Sequence, residues 1–319
     1  MIRKVFRLLS EVRKNPYFGF IQGHEHLSLE DLAEIQKWVG SDNLEIIEEF
    51  EQRFAEIIGD GQTVSFAAGR MGFYALMQVL GIQAGDEVVL QGATCSVMVN
   101  AVLRNGATPV YADIDPETFN IDPKDIERKI TDKTKAIIVV SLYGLPCEMD
   151  EIMAISRKHG IPVVEDNAQC FLSKYKGRLV GTMGDISSWS FENSKHISCG
   201  EGGIITTNNE KYAEIARKIA GHGYKNLKAN TGQIKLNQSV YQDPDYKRHS
   251  EIGWNYRLSE PSAAIALAQL ENIEKKVELR KAIADMFLKE IFDCDYLIPQ
   301  KTPKYSNNSY FTLGIRYEG

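Results

Sequence analysis

The sequence has few cysteines, no long apolar run and no excess of positive charge, and each absence excludes a class of protein. The five cysteines lack CxxC spacing, which argues against a disulfide framework or a zinc site and predicts free thiols in the cytoplasm; they are Cys95, Cys147, Cys170, Cys199 and Cys294. Lys and Arg total 37 against 43 Asp and Glu, a balance that argues against a nucleic-acid partner. No apolar run reaches the roughly 18 residues that span a bilayer, so no membrane partner is expected.

Several well-known site motifs are also missing. The sequence contains neither GxGxxG nor GxxxxGK[ST], which argues against dinucleotide and P-loop sites. It contains neither GxSxG nor HExxH, so a hydrolase elbow and a zincin site lack support. His24 and His26 lie two residues apart, but without a third ligand nearby we expect surface or turn histidines. No metal site is therefore predicted.

What the sequence does contain is a regular alternation of short apolar runs and amphipathic segments. Strands that are buried on both faces and alternate with helices predict an α/β fold with a mainly parallel sheet. The predicted strands of this sheet are Thr63–Phe66, Glu87–Leu90, Thr108–Tyr111, Ala136–Leu142, Pro162–Glu165, Ile186–Phe191 and Gly203–Thr207.

The domain organisation is predicted from changes in this pattern. We expect three parts: an N-terminal segment over residues 1–42, a large domain over 43–258 and part of a smaller α/β domain over 259–319. The polar stretch His222–Ser250 is long for a connection, so we expect it to take part in function. Apolar spacing predicts one long helix from Glu260 to Phe292, and SYFTLGIRY predicts a strand over Ser309–Tyr317. A small domain that ends on its first clear strand predicts a sequence truncated at its C-terminal end.

Three residues near predicted strand ends have a chemical and a structural interpretation. Gly69 lies where a strand turns into a helix, which suits a plain turn or phosphate binding at the helix N-terminus. Asp166 follows a buried strand, as a helix N-cap or as a carboxylate that faces a ligand. Lys195 is an ordinary surface lysine or an amine that forms a Schiff base. Taken singly, each residue favours the structural interpretation, but their order along the chain resembles the layout of a pyridoxal-phosphate enzyme.

Four longer segments make this resemblance specific. They are GRMGFYALMQVLGIQAGDEVVL from Gly69, VVEDNAQ from Val163, SFENSKHISCGEGGIITTN from Ser190 and GWNYRLSEPSAAIALAQLE from Gly253. In this order they resemble the nucleotide-sugar aminotransferases of the DegT/DnrJ/StrS group, over about residues 44–279. The resemblance implies fold type I, a three-layer arrangement around a mainly parallel sheet, and pyridoxal 5'-phosphate as the cofactor.

The resemblance also implies roles for individual residues. Lys195 matches the lysine that forms the internal aldimine with the cofactor and then moves protons as general base and acid. Asp166 matches the carboxylate that keeps the pyridine nitrogen protonated, which makes the ring an electron sink. Gln169 matches a position that hydrogen-bonds the ring hydroxyl, and Ser190 matches one whose hydroxyl contacts the phosphate.

Two positions depart from the usual pattern of the group. Gly69 and Arg70 match a phosphate turn that usually shows Gly-Thr or Gly-Ser, so the backbone N–H donors remain while a hydroxyl contact is lost. Cys95 aligns where many members place an aromatic ring over the cofactor, and a thiol cannot stack in that way.

Asn255 matches an asparagine that reaches the phosphate in the neighbouring subunit, which implies a homodimer with sites at the interface. His196, beside the lysine, is expected in a surface or packing role.

The implied function is transfer of an amino group from an amino acid, with glutamate as the expected donor, to a keto sugar carried on a nucleotide. Two alternatives stay open: a pyridoxal-phosphate-dependent dehydratase or lyase on the same fold, and a non-catalytic regulatory relative. Lys195 favours aminotransfer, because a dehydratase branch of this fold carries histidine at that position. The set Lys195, Asp166 and Gln169 argues against a non-catalytic relative, because a binding protein has no need of an imine-forming lysine.

Overall fold

The computed structural model describes residues 29–38, 45–59, 61–230 and 237–319. Most of the predicted N-terminal segment, including His24 and His26, lies outside the described residues. The strands of the described chain are β1 Gln62–Phe66, β2 Glu87–Gln91, β3 Thr108–Ala112, β4 Thr134–Val140, β5 Val163–Asp166, β6 Lys174–Tyr175, β7 Arg178–Leu179, β8 Ile186–Ser190, β9 Gly203–Thr207, β10 Leu297–Pro299 and β11 Ile315–Tyr317.

The predicted strands of the large domain all form, to within about two residues, and pair into one sheet of order β1-β9-β8-β5-β4-β2-β3. Strands β3, β2, β4, β5 and β8 pair in parallel. Strand β9 runs antiparallel to both β1 and β8, so it begins at the edge where its neighbours end. The mainly parallel α/β sheet predicted from the sequence is confirmed.

Helices alternate with these strands. In the described ranges they are α1 Leu29–Trp38, α2 Ile46–Ile58, α3 Gly69–Val79, α4 Ser96–Arg104, α5 Pro123–Lys129, α6 Met149–His159, α7 Glu210–Ala220, α8 Gln238–Gln242, α9 Glu260–Glu271 and α10 Ile273–Glu290. Local sequence explains several of their ends. Asn209 caps α7 by accepting hydrogen bonds from two N–H groups of its first turn, and Gly160 ends α6 with a φ of 67°. Across these ranges we find no helix that combines the length and the apolar character needed to cross a membrane.

Helices cover both faces of the sheet. Side chains alternate along each strand, so Val88 and Leu90 pack under α3, α4 and α7 while Val89 packs under α5 and α6. A third cluster joins β8 and β9 to α2, α9 and the start of α10, around Trp189 and Ile204. These buried clusters give the three-layer arrangement that the resemblance implied.

The prediction of one helix over Glu260–Phe292 was wrong. Helices α9 and α10 meet at Asn272, whose backbone (φ −111°, ψ 9°) leaves the helical region. The apolar spacing continues across the break because Leu270, Ile273 and Val277 all face the same buried cluster. A periodicity that both helices share therefore hid the boundary between them.

The prediction of a strand over Ser309–Tyr317 was also largely wrong, since only Ile315–Tyr317 is extended, as β11. Ser309 is fully buried, and its N–H donates to the Gly144 carbonyl at 3.0 Å. Tyr310 adopts a φ of 48°, which turns the chain back. Phe311, one of the apolar residues that suggested a strand, packs instead against the ring of His196.

The predicted insertion His222–Ser250 closes on itself. Tyr224 pairs with His249, and the Lys225 N–H donates to the Arg248 carbonyl at 2.9 Å. The two ends of this stretch therefore return to the same place at the C-terminal end of α7. The division into parts at residues 43 and 259 stays a prediction.

Candidate active site

The edge of the sheet at which β1, β5 and β8 end holds a cavity of about 430 Å³. In sheets of this kind, ligands bind beyond the carboxyl ends of the strands. Seven of the eight site residues predicted from the sequence line this cavity, namely Gly69, Arg70, Cys95, Asp166, Gln169, Ser190 and Lys195. Residues far apart in the sequence thus meet at one place.

The two acidic residues that end β5 have different surroundings. The Glu165 carboxylate accepts hydrogen bonds from the N–H groups of Gly181 (2.8 Å), Met183 (2.8 Å) and Gly184 (2.6 Å). Its neighbour Asp166 points to the other face of the strand, because successive side chains alternate. Glu165 therefore fixes a loop, and Asp166 alone faces the cavity.

Asp166 is a buried carboxylate with one oxygen to spare. Its Oδ1 accepts from the Ala168 N–H at 3.0 Å, whereas Oδ2 has no hydrogen-bond partner among the described residues. Burial raises the pKa of the Asp166 carboxyl to about 6, against the opposing effects of the Ala168 N–H and the Lys195 ammonium. A buried carboxylate oxygen without a partner is costly, so this geometry suits a ligand that brings a hydrogen-bond donor.

Lys195 lies in a tight turn after β8. Its backbone N–H donates to the Glu192 carbonyl at 2.9 Å, and its half-buried side chain reaches the cavity. The Lys195 ammonium lies 4.6 Å from the centre of the Phe311 ring. This lysine is therefore not a solvated surface residue, and its amine is available to a ligand in the cavity.

Gln169 is oriented by a backbone group. Its Oε1 accepts from the Tyr143 N–H at 3.0 Å, and Tyr143 itself is held at a φ of 60°. Because the amide oxygen is engaged, the amide NH₂ group is left to donate to a ligand.

A tightly packed glycine turn forms another wall of the cavity. Helix α3 begins at Gly69, and the first N–H groups of a helix have no partners within it and attract anions. A Cβ atom on Gly69 would lie 2.9 Å from the Ser190 Cβ, and one on Gly203 would lie 2.4 Å from the Gly69 Cα. Only glycine therefore allows β1, β8 and β9 to approach here.

Arg70 makes an ion pair that the sequence did not predict. Its Nη2 donates to Glu201 Oε1 at 2.7 Å, and both side chains are about half exposed. Glu201 belongs to the Gly200–Gly203 run that leads into β9, so the pair ties this run to the first turn of α3. The guanidinium thereby stays beside the cavity.

Cys95 and Asn255 occupy different settings. Cys95 is exposed, occupies the N-cap position of α4 without a side-chain hydrogen bond, and lines the cavity. Asn255 is exposed but does not line the cavity, and it pairs instead with Gly221. The structure of one chain therefore does not bring Asn255 to the other predicted residues.

His196 lies inside the protein rather than at its surface. It is 2% exposed, and its ring lies between Phe171 (6.4 Å) and Phe311 (6.0 Å). Burial, together with the charge of Arg280, lowers the pKa of His196 to about 3, so the imidazole is neutral at ordinary pH. It serves a packing role, as one of the two expected roles for this residue.

Sequence reasoning missed the residues that hold the predicted ones in place. Tyr143 orients Gln169, Glu201 holds Arg70, and Phe311 contacts Lys195. The GEGG run was visible in the sequence, but nothing local linked it to Arg70. Phe311 had been assigned to a strand, and that assignment concealed its contact with Lys195.

The comparisons with known proteins agree with this geometry. The chain matches the DegT/DnrJ/EryC1/StrS aminotransferase family over residues 25–319. It is 37% identical over 254 residues to a GDP-perosamine synthase of Escherichia coli O157:H7, covering 80% of this chain and 65% of that protein. It is 39% identical over 249 residues to a UDP-2-acetamido-2-deoxy-3-oxo-D-glucuronate aminotransferase of Pseudomonas aeruginosa, covering 77% of this chain and 64% of that protein.

A solved structure of similar fold contains a cofactor. The E. coli GDP-4-keto-6-deoxy-D-mannose-3-dehydratase with bound hydrated PLP superimposes with a TM-score of 0.81 at 27% identity, covering 92% of this chain and 77% of that one. The chain thus spans about 65% of the length of the curated relatives it matches and more of this structure.

Proposed function

The chain belongs to the DegT/DnrJ/EryC1/StrS aminotransferase family, and from this premise we propose that it is a pyridoxal-phosphate-dependent sugar aminotransferase. Its substrates are an amino acid, with glutamate as the expected donor, and a keto sugar linked to a nucleotide. The names of the matched relatives, a GDP-perosamine synthase and an aminotransferase of a UDP-linked oxo sugar, support this substrate class.

The cavity fits pyridoxal phosphate group by group. The unpartnered Oδ2 of Asp166 matches a protonated ring nitrogen, and the Gln169 NH₂ group matches the ring oxygen. The start of α3 at Gly69 and the Ser190 hydroxyl match a phosphate. The Lys195 amine is the group that would hold the aldehyde carbon of the cofactor.

Each of these residues has a distinct task in the proposed reaction. The bound cofactor supplies an electron sink for the carbon that loses its proton. The Asp166 carboxylate would keep a proton on the ring nitrogen, because loss of that proton would leave the buried carboxylate without a positively charged partner. The Lys195 amine would take a proton from the substrate carbon as general base and return it at the next position as general acid. The Arg70–Glu201 pair keeps the phosphate turn in place.

The observation that carries this proposal is the placement of an unpartnered buried carboxylate and a primary amine in one cavity. A dehydratase is the second candidate, because a protein of that activity shares the fold. Lys195 favours aminotransfer over it.

We also propose a homodimer in which Asn255 serves the neighbouring site. We propose a cytoplasmic location, which suits the free cysteines. We further propose the division of the chain into parts over residues 1–42, 43–258 and 259–319.

An absorbance spectrum tests the proposed function. Adding pyridoxal phosphate to the purified protein is expected to give a visible band that borohydride removes, because Lys195 holds the cofactor as an imine. Lys195→Ala should lack this band, and Lys211→Ala, which changes an exposed lysine at the start of α7, should keep it. A colourless wild-type protein, or a band that persists in Lys195→Ala, would contradict the proposal.

Gly203→Ala is expected to weaken cofactor binding by about tenfold or more, because overpacking costs about 1–3 kcal/mol. The added Cβ would lie 2.4 Å from the Gly69 Cα and 2.6 Å from its N, and backbone atoms cannot rotate away. Gly92→Ala is the matched control, since its Cβ would meet only the Ala112 carbonyl oxygen, at 3.7 Å. Titration of each variant with pyridoxal phosphate, followed by absorbance, measures the change. Equal affinities for Gly203→Ala and Gly92→Ala would show that the turn does not bind phosphate.

A further inference from the structure

The Lys195 amine lies over the aromatic ring of Phe311, a residue that the sequence did not predict as part of the site. The Lys195 Nζ lies 4.6 Å from the centre of the Phe311 ring. An ammonium over a ring face at this distance is attracted by the quadrupole of the ring. Phe311 is not among the residues that line the 430 Å³ cavity, so it contacts the Lys195 amine from outside that lining.

The turn over residues 308–311 places the Phe311 ring beside Lys195. Asn308 and Ser309 are buried, at 4% and 0% exposure. Asn308 Oδ1 accepts from the Tyr310 N–H at 2.7 Å, which fixes Tyr310 at its φ of 48°. The turn packs so closely on Gly144 that a Cβ there would lie 2.4 Å from the Tyr310 N. Its position is thus set by buried backbone contacts rather than by the Phe311 side chain.

Two further residues connect this turn to its surroundings. The His196 Nε2 lies 3.3 Å from the Ser309 carbonyl oxygen, and its ring packs against Phe311. Arg280 of α10 donates from Nη1 to the Phe311 carbonyl at 3.0 Å. Neutral His196 and the Arg280 contact therefore hold both sides of the turn that presents the ring.

We propose that Phe311 is a positioning residue that holds the Lys195 amine at the wall of the cavity. A lysine side chain carries its amine on a flexible four-carbon stem. The amine must therefore be confined if it is to return to the same position. The catalytic part of this inference rests on the proposed function, in which the Lys195 amine moves a proton at the substrate carbon. The ring gives the amine a fixed resting place within reach of the reacting atoms.

Competitive labelling of the cofactor-free protein tests the contact without any activity measurement. Trace acetic anhydride labels amines, and mass spectrometry compares the Lys195 peptide with the peptide of exposed Lys211. Phe311→Leu is expected to raise Lys195 labelling by about three- to tenfold, because the amine loses its cover and its cation–π partner. Phe311→Tyr keeps the ring and should restore the wild-type ratio.

The control variant is Phe171→Leu, which removes a ring from the other side of His196 without touching Lys195. It should leave the labelling ratio unchanged even if it lowers thermal stability. An unchanged ratio in Phe311→Leu, or an equal rise in Phe171→Leu, would overturn the proposal. If Phe311→Leu does not fold, Phe311→Met, which removes the ring but keeps an apolar side chain of similar length, must raise labelling in the same direction.

The rate of reaction with an amino acid then tests the catalytic part. For cofactor-loaded protein mixed with glutamate, Phe311→Leu should slow the spectral change by about three- to tenfold while leaving the affinity for pyridoxal phosphate within about twofold. Phe311→Tyr should recover the rate. A parallel loss of rate and cofactor affinity would indicate a merely structural effect. Because labelling uses cofactor-free protein, it remains interpretable even if the proposed function fails.

Discussion

Replacing Asp166 with asparagine is expected to stabilise the cofactor-free protein at pH 7.5 by about 3 kcal/mol. Burial raises the pKa of the Asp166 carboxyl from 3.8 to about 6, so ionising this group is harder in the folded chain than in the unfolded chain. Well below pH 3.8 the carboxyl is protonated in both states and costs nothing. The destabilisation grows as the pH rises from 4 to 6 and is complete above 6. Urea unfolding of both proteins at several pH values measures the difference, which should shrink as the pH falls.

The same substitution is expected to remove most of the activity, by at least about a hundredfold in kcat, because a neutral amide no longer stabilises the proton on the ring nitrogen. Glu165→Gln is the matched control, one residue away on the opposite face. Its amide NH₂ replaces one carboxylate oxygen and would face at least one of the three N–H groups that now donate to Glu165, so it should destabilise the protein. If Asp166→Asn loses as much stability at pH 7.5 as Glu165→Gln, the cavity carboxylate is structural rather than reserved for a ligand.

Glu51→Ala is expected to destabilise the protein by about 3–5 kcal/mol, because it leaves a buried guanidinium unpaired. Glu51 on α2 and Arg217 on α7 are each 7% exposed in their side chains and pair at 2.8 Å. Glu51 Oε1 also accepts from the Ser65 N–H and hydroxyl, and Arg217 Nη2 also donates to the Thr63 carbonyl. The pair therefore joins α2, β1 and α7, and urea unfolding measures its loss.

Glu56→Ala provides the comparison on the same helix. Glu56 pairs with Arg53 at 3.4 Å, and both side chains are about half exposed. An exposed pair of this kind contributes about 0–1 kcal/mol, so this variant should unfold close to wild type. The double variant Glu51→Met with Arg217→Met should recover part of the stability, because it buries no unpaired charge. Equal losses for Glu51→Ala and Glu56→Ala would contradict the assignment of a buried ion pair.

The large sheet could be predicted because its signal is local. Continuous apolar runs such as Ala136–Val140 indicate buried strands, and Gly59 and Gly160 mark the ends of the helices before them. The break at Asn272 could not be predicted, because the apolar spacing continues through it. The turn at Ser309–Gly314 could not be predicted either. Its buried Ser309 donates its backbone N–H to the carbonyl of Gly144, which is far away in the sequence.

The candidate site could be predicted to the extent that its residues follow strand ends in a recognisable order. Asp166 and Lys195 have such positions, and the structure brings both to one cavity. Arg70 with Glu201, and Lys195 with Phe311, are contacts between distant segments, and no periodicity or spacing encodes them. Asn255 is exposed and lies outside the cavity of its own chain, so its proposed role depends on the proposed homodimer.

The antiparallel course of β9 has a consequence for the order in which the protein is assembled during synthesis. Strand β1 has β9 as its hydrogen-bonded neighbour in the sheet, so residues 62–66 must wait for residues 203–207. Chains are made from the N-terminus, and pairings between distant segments form slowly. The glycine turn after β1 therefore reaches its final shape only after residues 203–207 have left the ribosome. A nascent chain that ends before residue 203 therefore contains β2 to β5 but lacks the strand that completes this turn.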